Sequence, residues 1–67
     1  MAKFGKKVAT IRLSHSLTQE QLAEAATISL DFLSLIERGQ RGPSFPTMER
    51  LADVLGVEVK ELFTFDN

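Results

Sequence analysis

The chain of 67 residues has no cysteine and one histidine. The first absence excludes a disulfide framework and a thiolate zinc site. The second leaves any metal to carboxylates, and these do not cluster at ligand spacing, so no metal or cofactor is expected. No apolar run approaches the length that spans a bilayer, and Met1-Ala2-Lys3-Phe4-Gly5-Lys6-Lys7 lacks the apolar segment of a signal peptide. The expected location is the cytoplasm, with no membrane partner. No nucleophile–base pairing, no phosphate-cradling glycine loop and no second imidazole is present, which argues against an enzyme, and no small-molecule ligand is evident. Repeats, low-complexity stretches, linkers and strand-like alternation are missing as well.

What remains is one domain near the lower size limit for folding without staples. Its stability must come from an apolar core, helped by association. The net charge of −1 argues mildly against a nucleic-acid partner, but the charges are unevenly spread. Residues 1–17 carry Lys3, Lys6, Lys7 and Arg12 with no acid, while residues 53–67 carry Asp53, Glu58, Glu61 and Asp66 against Lys60 alone. A basic end attracts phosphate, and an acidic end limits non-specific binding to DNA. Taken singly, each cluster also reads as an ordinary solvated face.

Apolar residues recur at helical spacing throughout. Phe4, Val8 and Ile11 form a first stripe, over roughly residues 3–14. Thr18 has N-cap chemistry, and Gln21 three residues later offers a capping box for a second helix with Leu22, Ala23 and Ala26 inward. Ser29 opens a third helix with Leu33 and Ile36 inward and Gly39 as its stop. Ser44 caps a fourth, which tolerates Pro46 in its first turn, buries Met48, Leu51, Ala52 and Leu55, and ends at Gly56. Val59, Leu62 and Phe63 predict a short fifth helix, with Leu62 and Phe63 completing the core. The second and third helices, joined by a tight corner, have the size of a helix-turn-helix, whose second helix enters the DNA major groove. Yet this second helix begins Ser29-Leu30-Asp31 and has no basic residue before Arg38.

Four segments together resemble the Cro/CI-type helix-turn-helix regulators, also called the XRE family. They are Thr18-Gln19-Glu20-Gln21-Leu22-Ala23, Leu33-Ser34-Leu35-Ile36-Glu37-Arg38-Gly39, Pro43-Ser44 and Leu51-Ala52-Asp53-Val54-Leu55-Gly56-Val57. They fall in order at the family's spacing and cover residues 4–63, with the helix-turn-helix at about 18–37 and a tail at 64–67. The resemblance implies an all-α, compact five-helix lambda-repressor-like domain that binds double-stranded DNA. It makes residues 29–37 the recognition helix, with Ser29, Leu30, Asp31, Ser34 and Leu35 facing base edges or sugar-phosphate. By the same resemblance Gln19 meets phosphate, Arg38, Gln40 and Arg41 touch the DNA backbone, and Arg12 and Glu37 form an ion pair between the first and third helices.

The chain departs from the family pattern in three ways. Thr27 stands at the corner where glycine is frequent, Ser16 stands before Leu17 at another such place, and Leu30, Asp31 and Leu35 replace the usual Arg, Lys, Gln or Thr. The last set has two readings. In one, the leucines meet thymine methyls and Asp31 accepts from cytosine N4. In the other, the leucines pack against the second helix or the loop, Asp31 complements the helix dipole, and backbone contacts hold the DNA; a further alternative is that DNA binding has been lost.

The expected function is a sequence-specific transcriptional regulator, acting as a homodimeric autorepressor or controller on a partly palindromic operator. Phe65, in the apolar tail, is the candidate dimer contact. The rival is a protein-interaction module of the same fold, of antitoxin or anti-repressor type, which would use Leu30, Phe32 and Leu35.

Overall fold

Thr18, Ser29 and Ser44 each start a helix in the same way, by turning a side-chain oxygen onto an amide that has no partner within the helix. The amides of Gln21, Phe32 and Thr47 donate to these oxygens at 3.0, 3.0 and 3.4 Å. At Thr18 the box is closed, because its own amide donates to Gln21 Oε1 at 2.8 Å. The computed structural model describes residues 1–65, so Asp66 of the acidic end and the last two positions of the expected tail lie outside the described residues. In the described part the helices are α1 (Ala2–Ser14), α2 (Gln19–Ala25), α3 (Leu30–Glu37) and α4 (Phe45–Leu55).

The fifth expected helix, Val59–Phe63, is a 3-10 helix instead, so among the described residues four α-helices stand where five were expected. Five residues are too few to sustain a ladder of α-helical bonds. The segment closes with the three-residue bonds Glu61 N–H to Glu58 O at 2.9 Å and Thr64 N–H to Glu61 O at 3.1 Å. The Thr64 hydroxyl then donates to the Lys60 carbonyl.

The core is a single cluster built from every element: Phe4 and Val8 of α1, Leu22, Ala23 and Ala26 around α2, Leu33 and Ile36 of α3, Leu51, Ala52 and Leu55 of α4, and Leu62. All are at most 2% exposed. Ile11, Met48 and Val59 from the expected stripes are half-buried at its edge. One placement differs from expectation. Leu62 is fully buried, but Phe63 is 43% exposed, its ring tilted by 37° against that of Phe4 with centroids 4.9 Å apart. Successive residues of a 3-10 helix point about 120° apart, and with Leu62 aimed into the core the Phe63 ring lies at its edge against Phe4.

Two glycines stop helices in the left-handed region, Gly39 at φ 76° and Gly56 at φ 71°. Ser16 (φ 57°) and Thr27 (φ 61°) occupy the same region without being glycine, so both corners flanking α2 carry a side chain in a conformation that costs energy. Gly5, which the periodic pattern did not single out, lies where α1 crosses the end of α3. A Cβ there would collide with the Ile36 carbonyl oxygen and come 2.7 Å from that of Glu37. Among the described residues no helix is long and apolar enough to cross a membrane.

Candidate nucleic-acid interface

In α3 the periodicity separates two faces. Leu33 and Ile36 are fully buried. Leu30, Asp31, Ser34 and Leu35 are related by three- and four-residue steps and therefore form one strip on the other side. Leu30 is 43% exposed and Asp31 is exposed, while Ser34 and Leu35 are half-buried; neither leucine packs on the core cluster. The structure thus brings together Leu30, Asp31, Ser34 and Leu35, four of the five side chains that the sequence had grouped. Asp31 lies in the first turn, where its charge complements the helix dipole. Ser29 is exposed, but its hydroxyl oxygen is the N-cap acceptor for Phe32, so its polar atom already has a structural task.

Arg38 is the C-cap of α3, and its Nε donates back to the Ser34 carbonyl at 3.3 Å. Gly39 then reverses the chain. The amides of Gln40 and Arg41 both donate to the Leu35 carbonyl, at 2.9 and 3.3 Å, which fixes the loop against the last turn of α3. Gln40 and Arg41 are exposed there. The Arg41 guanidinium carbon lies 5.7 Å from the centroid of the Phe32 ring.

Behind this strip is a polar network that fixes α1, α2 and α3 to one another. Arg12 Nε donates to Glu37 Oε2 at 2.8 Å and Nη2 to Oε1 at 3.1 Å, a two-pronged pair whose side chains are only 11% and 6% exposed. The third prong, Nη1, donates to the Leu17 carbonyl at 2.8 Å, just after the left-handed Ser16. Gln19 joins the same carboxylate: its Nε2 donates to Glu37 Oε1 at 2.8 Å. The amide expected to meet phosphate is therefore oriented by the ion pair, with one N–H used internally and the second left for another acceptor.

Two contributors escaped the sequence reading. Arg50 of α4 donates from Nε to the Ala26 carbonyl at 2.8 Å and from Nη2 to the Thr47 hydroxyl at 3.1 Å, closing the C-terminal end of α2. An arginine one helix away from a C-terminus carries no local signal of that role. Gly5 is the other, and its signal was legible only as a glycine inside a helical pattern.

Basic and acidic side chains line different hollows of the surface. Lys3, Lys6, Lys7 and Thr10 line one hollow together with Phe65, whereas Glu49, Asp53 and Glu58 line another with Arg50. Phe65 is half-buried and meets Phe63 edge-on at 6.5 Å, so the more exposed ring of this tail is Phe63. Among the described residues no group of histidine, cysteine and carboxylate side chains could hold a metal ion.

Comparison with known proteins agrees with this geometry. A family model described as helix-turn-helix matches residues 8–62. The control protein C.BamHI of Bacillus amyloliquefaciens is 43% identical over 63 residues, which is 92% of this chain and 78% of that protein. The immunity repressor protein of Bacillus phage phi105 is 41% identical over 58 residues; the match takes in 87% of this chain but only 40% of the phage protein. The crystal structure of the restriction-modification controller protein C.AhdI from Aeromonas hydrophila superposes with a TM-score of 0.90 at 35% identity, covering 92% of this chain and 94% of that one. The match to a controller protein over 94% of its crystallised chain, together with the capped α2–α3 pair and its exposed strip, leads to one assignment. The chain belongs to the Cro/CI-type (XRE) helix-turn-helix family of DNA-binding transcriptional regulators.

Proposed function

We propose that the protein is a sequence-specific, non-enzymatic regulator of transcription in the cytoplasm that binds a partly palindromic operator as a homodimer. The observation that carries this reading is the strip Leu30, Asp31, Ser34 and Leu35, left unburied on the second helix of a rigid helix-turn-helix. In the major groove the leucines read thymine methyls, Asp31 accepts from cytosine N4, and Ser34 bonds to a base or a phosphate. Arg38, Gln40 and Arg41 contact the DNA backbone from the loop, and Gln19 adds the N–H that Glu37 leaves over. SinR, a master regulator for biofilm formation, has been solved in complex with DNA; it superposes with a TM-score of 0.86 at 31% identity, covering 91% of this chain. The control and repressor proteins among the relatives support the same reading.

The dimer follows from size. The domain's longest extent is 30 Å, and it carries one recognition helix. Successive major-groove faces lie about 34 Å apart, so a second groove needs a second copy. The apolar surface of Met1, Phe63 and Phe65 beside Phe4 is the proposed two-fold contact.

The deciding experiment selects preferred duplexes from a random pool and compares wild type with Asp31→Ala and Leu35→Ala on selected and unselected DNA. Losses confined to selected DNA support base reading by α3. Equal losses on both would mean that the strip only approaches the backbone.

A further inference from the structure

The recognition helix Leu30–Glu37 contains no arginine or lysine, yet a guanidinium lies beside its first turn. It belongs to Arg41, four residues beyond the helix. We propose that Phe32 is a positioning residue, whose ring holds the Arg41 guanidinium against α3 so that the loop supplies the cation the helix lacks. The inference rests on the reading, proposed above, that Arg41 contacts the DNA backbone.

The geometry gives each partner a fixed half. Phe32 is half-buried, packs on the core, and has its amide bound by the Ser29 hydroxyl oxygen, so its ring cannot follow the arginine. The Arg41 backbone is fixed too, since its amide and that of Gln40 donate to the Leu35 carbonyl one turn beyond Phe32. Only the exposed arginine side chain is free to choose a direction, and it runs back along α3 until its guanidinium carbon is 5.7 Å from the ring centroid. That is within the reach of cation–π attraction, about 6 Å. Such an interaction draws on the charge of the guanidinium as a whole. The group has five N–H donors in its plane, most of which stay available to a phosphate. The ring therefore lowers the freedom of a long side chain before DNA arrives without consuming the donors that DNA needs.

A duplex of mixed sequence is a sufficient probe, because a phosphate contact carries no sequence information. Arg41→Ala is expected to weaken binding and to lower the slope of log affinity against log salt by about 0.9 for each phosphate that is no longer neutralised. Phe32→Leu, with Arg41 present, is expected to weaken binding about two- to five-fold, the ratio for a cation–π interaction at an exposed site. In the Arg41→Ala background Phe32→Leu should change nothing further, and Phe32→Tyr should bind as wild type. An equal loss from Phe32→Leu in both backgrounds would overturn the proposal, since that is how a purely structural residue behaves.

Side-chain NMR of the wild-type protein tests the stacking even if Phe32→Leu folds poorly. Ring-current-shifted Arg41 δ and ε protons support it, and shifts at ordinary arginine values overturn it. If those protons are shifted but Arg41→Ala alters neither affinity nor salt slope, the backbone-contact reading has failed and the positioning role falls with it.

Discussion

Removing the carboxylate of Glu37 should destabilise the domain far more than breaking a surface ion pair would. Exposed pairs contribute about 0–1 kcal/mol because water screens them and two long side chains must be ordered. Here the Glu37 and Arg12 side chains are 6% and 11% exposed, and the carboxylate accepts three bonds, two from Arg12 and one from Gln19. Breaking one partner of a buried pair costs about 3–5 kcal/mol, chiefly because the other charge stays desolvated without compensation. The residual exposure and the Leu17 carbonyl, which still accepts from Arg12, argue for the lower end, about 3 kcal/mol. A domain of this size has roughly 3–10 kcal/mol in all. Glu37→Ala should therefore lower the melting temperature by roughly 12–24 °C.

The double variant Arg12→Met/Glu37→Met separates the pair from its burial. It replaces both charges by apolar chains of similar length and should recover at least half of the destabilisation of either single variant. Urea unfolding at low temperature, followed by circular dichroism, gives the four corners of the cycle. Single-variant effects below about 1 kcal/mol, or a double variant equal to the sum of the singles, would refute the reasoning.

Thr27→Gly should stabilise: the left-handed threonine costs about 1–2 kcal/mol, glycine's unfolded-state entropy takes back about 0.5–1, and a melting temperature raised by a few degrees is the expected readout. Gly5→Ala should destabilise by about 2–3 kcal/mol in urea titrations, because its Cβ meets the Ile36 and Glu37 carbonyls and the two helices must separate. Arg50→Ala should cost about 1 kcal/mol, seen as a lower urea midpoint together with faster amide exchange at the end of α2, because the Ala26 carbonyl loses its donor.

How far these features were legible depends on the range of the interaction behind them. The caps at Thr18, Ser29 and Ser44, and the stops at Gly39 and Gly56, are decided within four residues, and each lies where the sequence places it. The inward residues of α2, α3 and α4 follow from the helical period. At the last element the reading fails: Phe63, read as core beside Leu62, is 43% exposed, on a five-residue segment too short to establish a period of its own. Pairings across the chain were legible only where the family pattern points to them, as for Arg12 and Glu37. Arg50 on the Ala26 carbonyl, Gln19 on Glu37 and Arg41 on Phe32 are 24, 18 and 9 residues apart and depend on packing that no local pattern encodes.

These long-range bonds explain how a recognition helix can change its surface without losing its place. Helix α2 has seven residues, too few to be stable alone, and both flanking corners hold a non-glycine residue at positive φ. Its position is instead imposed from outside: Arg12 holds the Leu17 carbonyl before it, Glu37 holds Gln19 in its first turn, and Arg50 holds the Ala26 carbonyl after it. None of those bonds involves Leu30, Asp31, Ser34 or Leu35 side chains. The outer strip of α3 is therefore free of the duty of holding the motif together, and can depart from the usual Arg, Lys, Gln or Thr at little cost in stability. In the proposed mode of binding that strip supplies no cation. Arg41, fixed to α3 through the Leu35 carbonyl and the Phe32 ring, is placed to restore one.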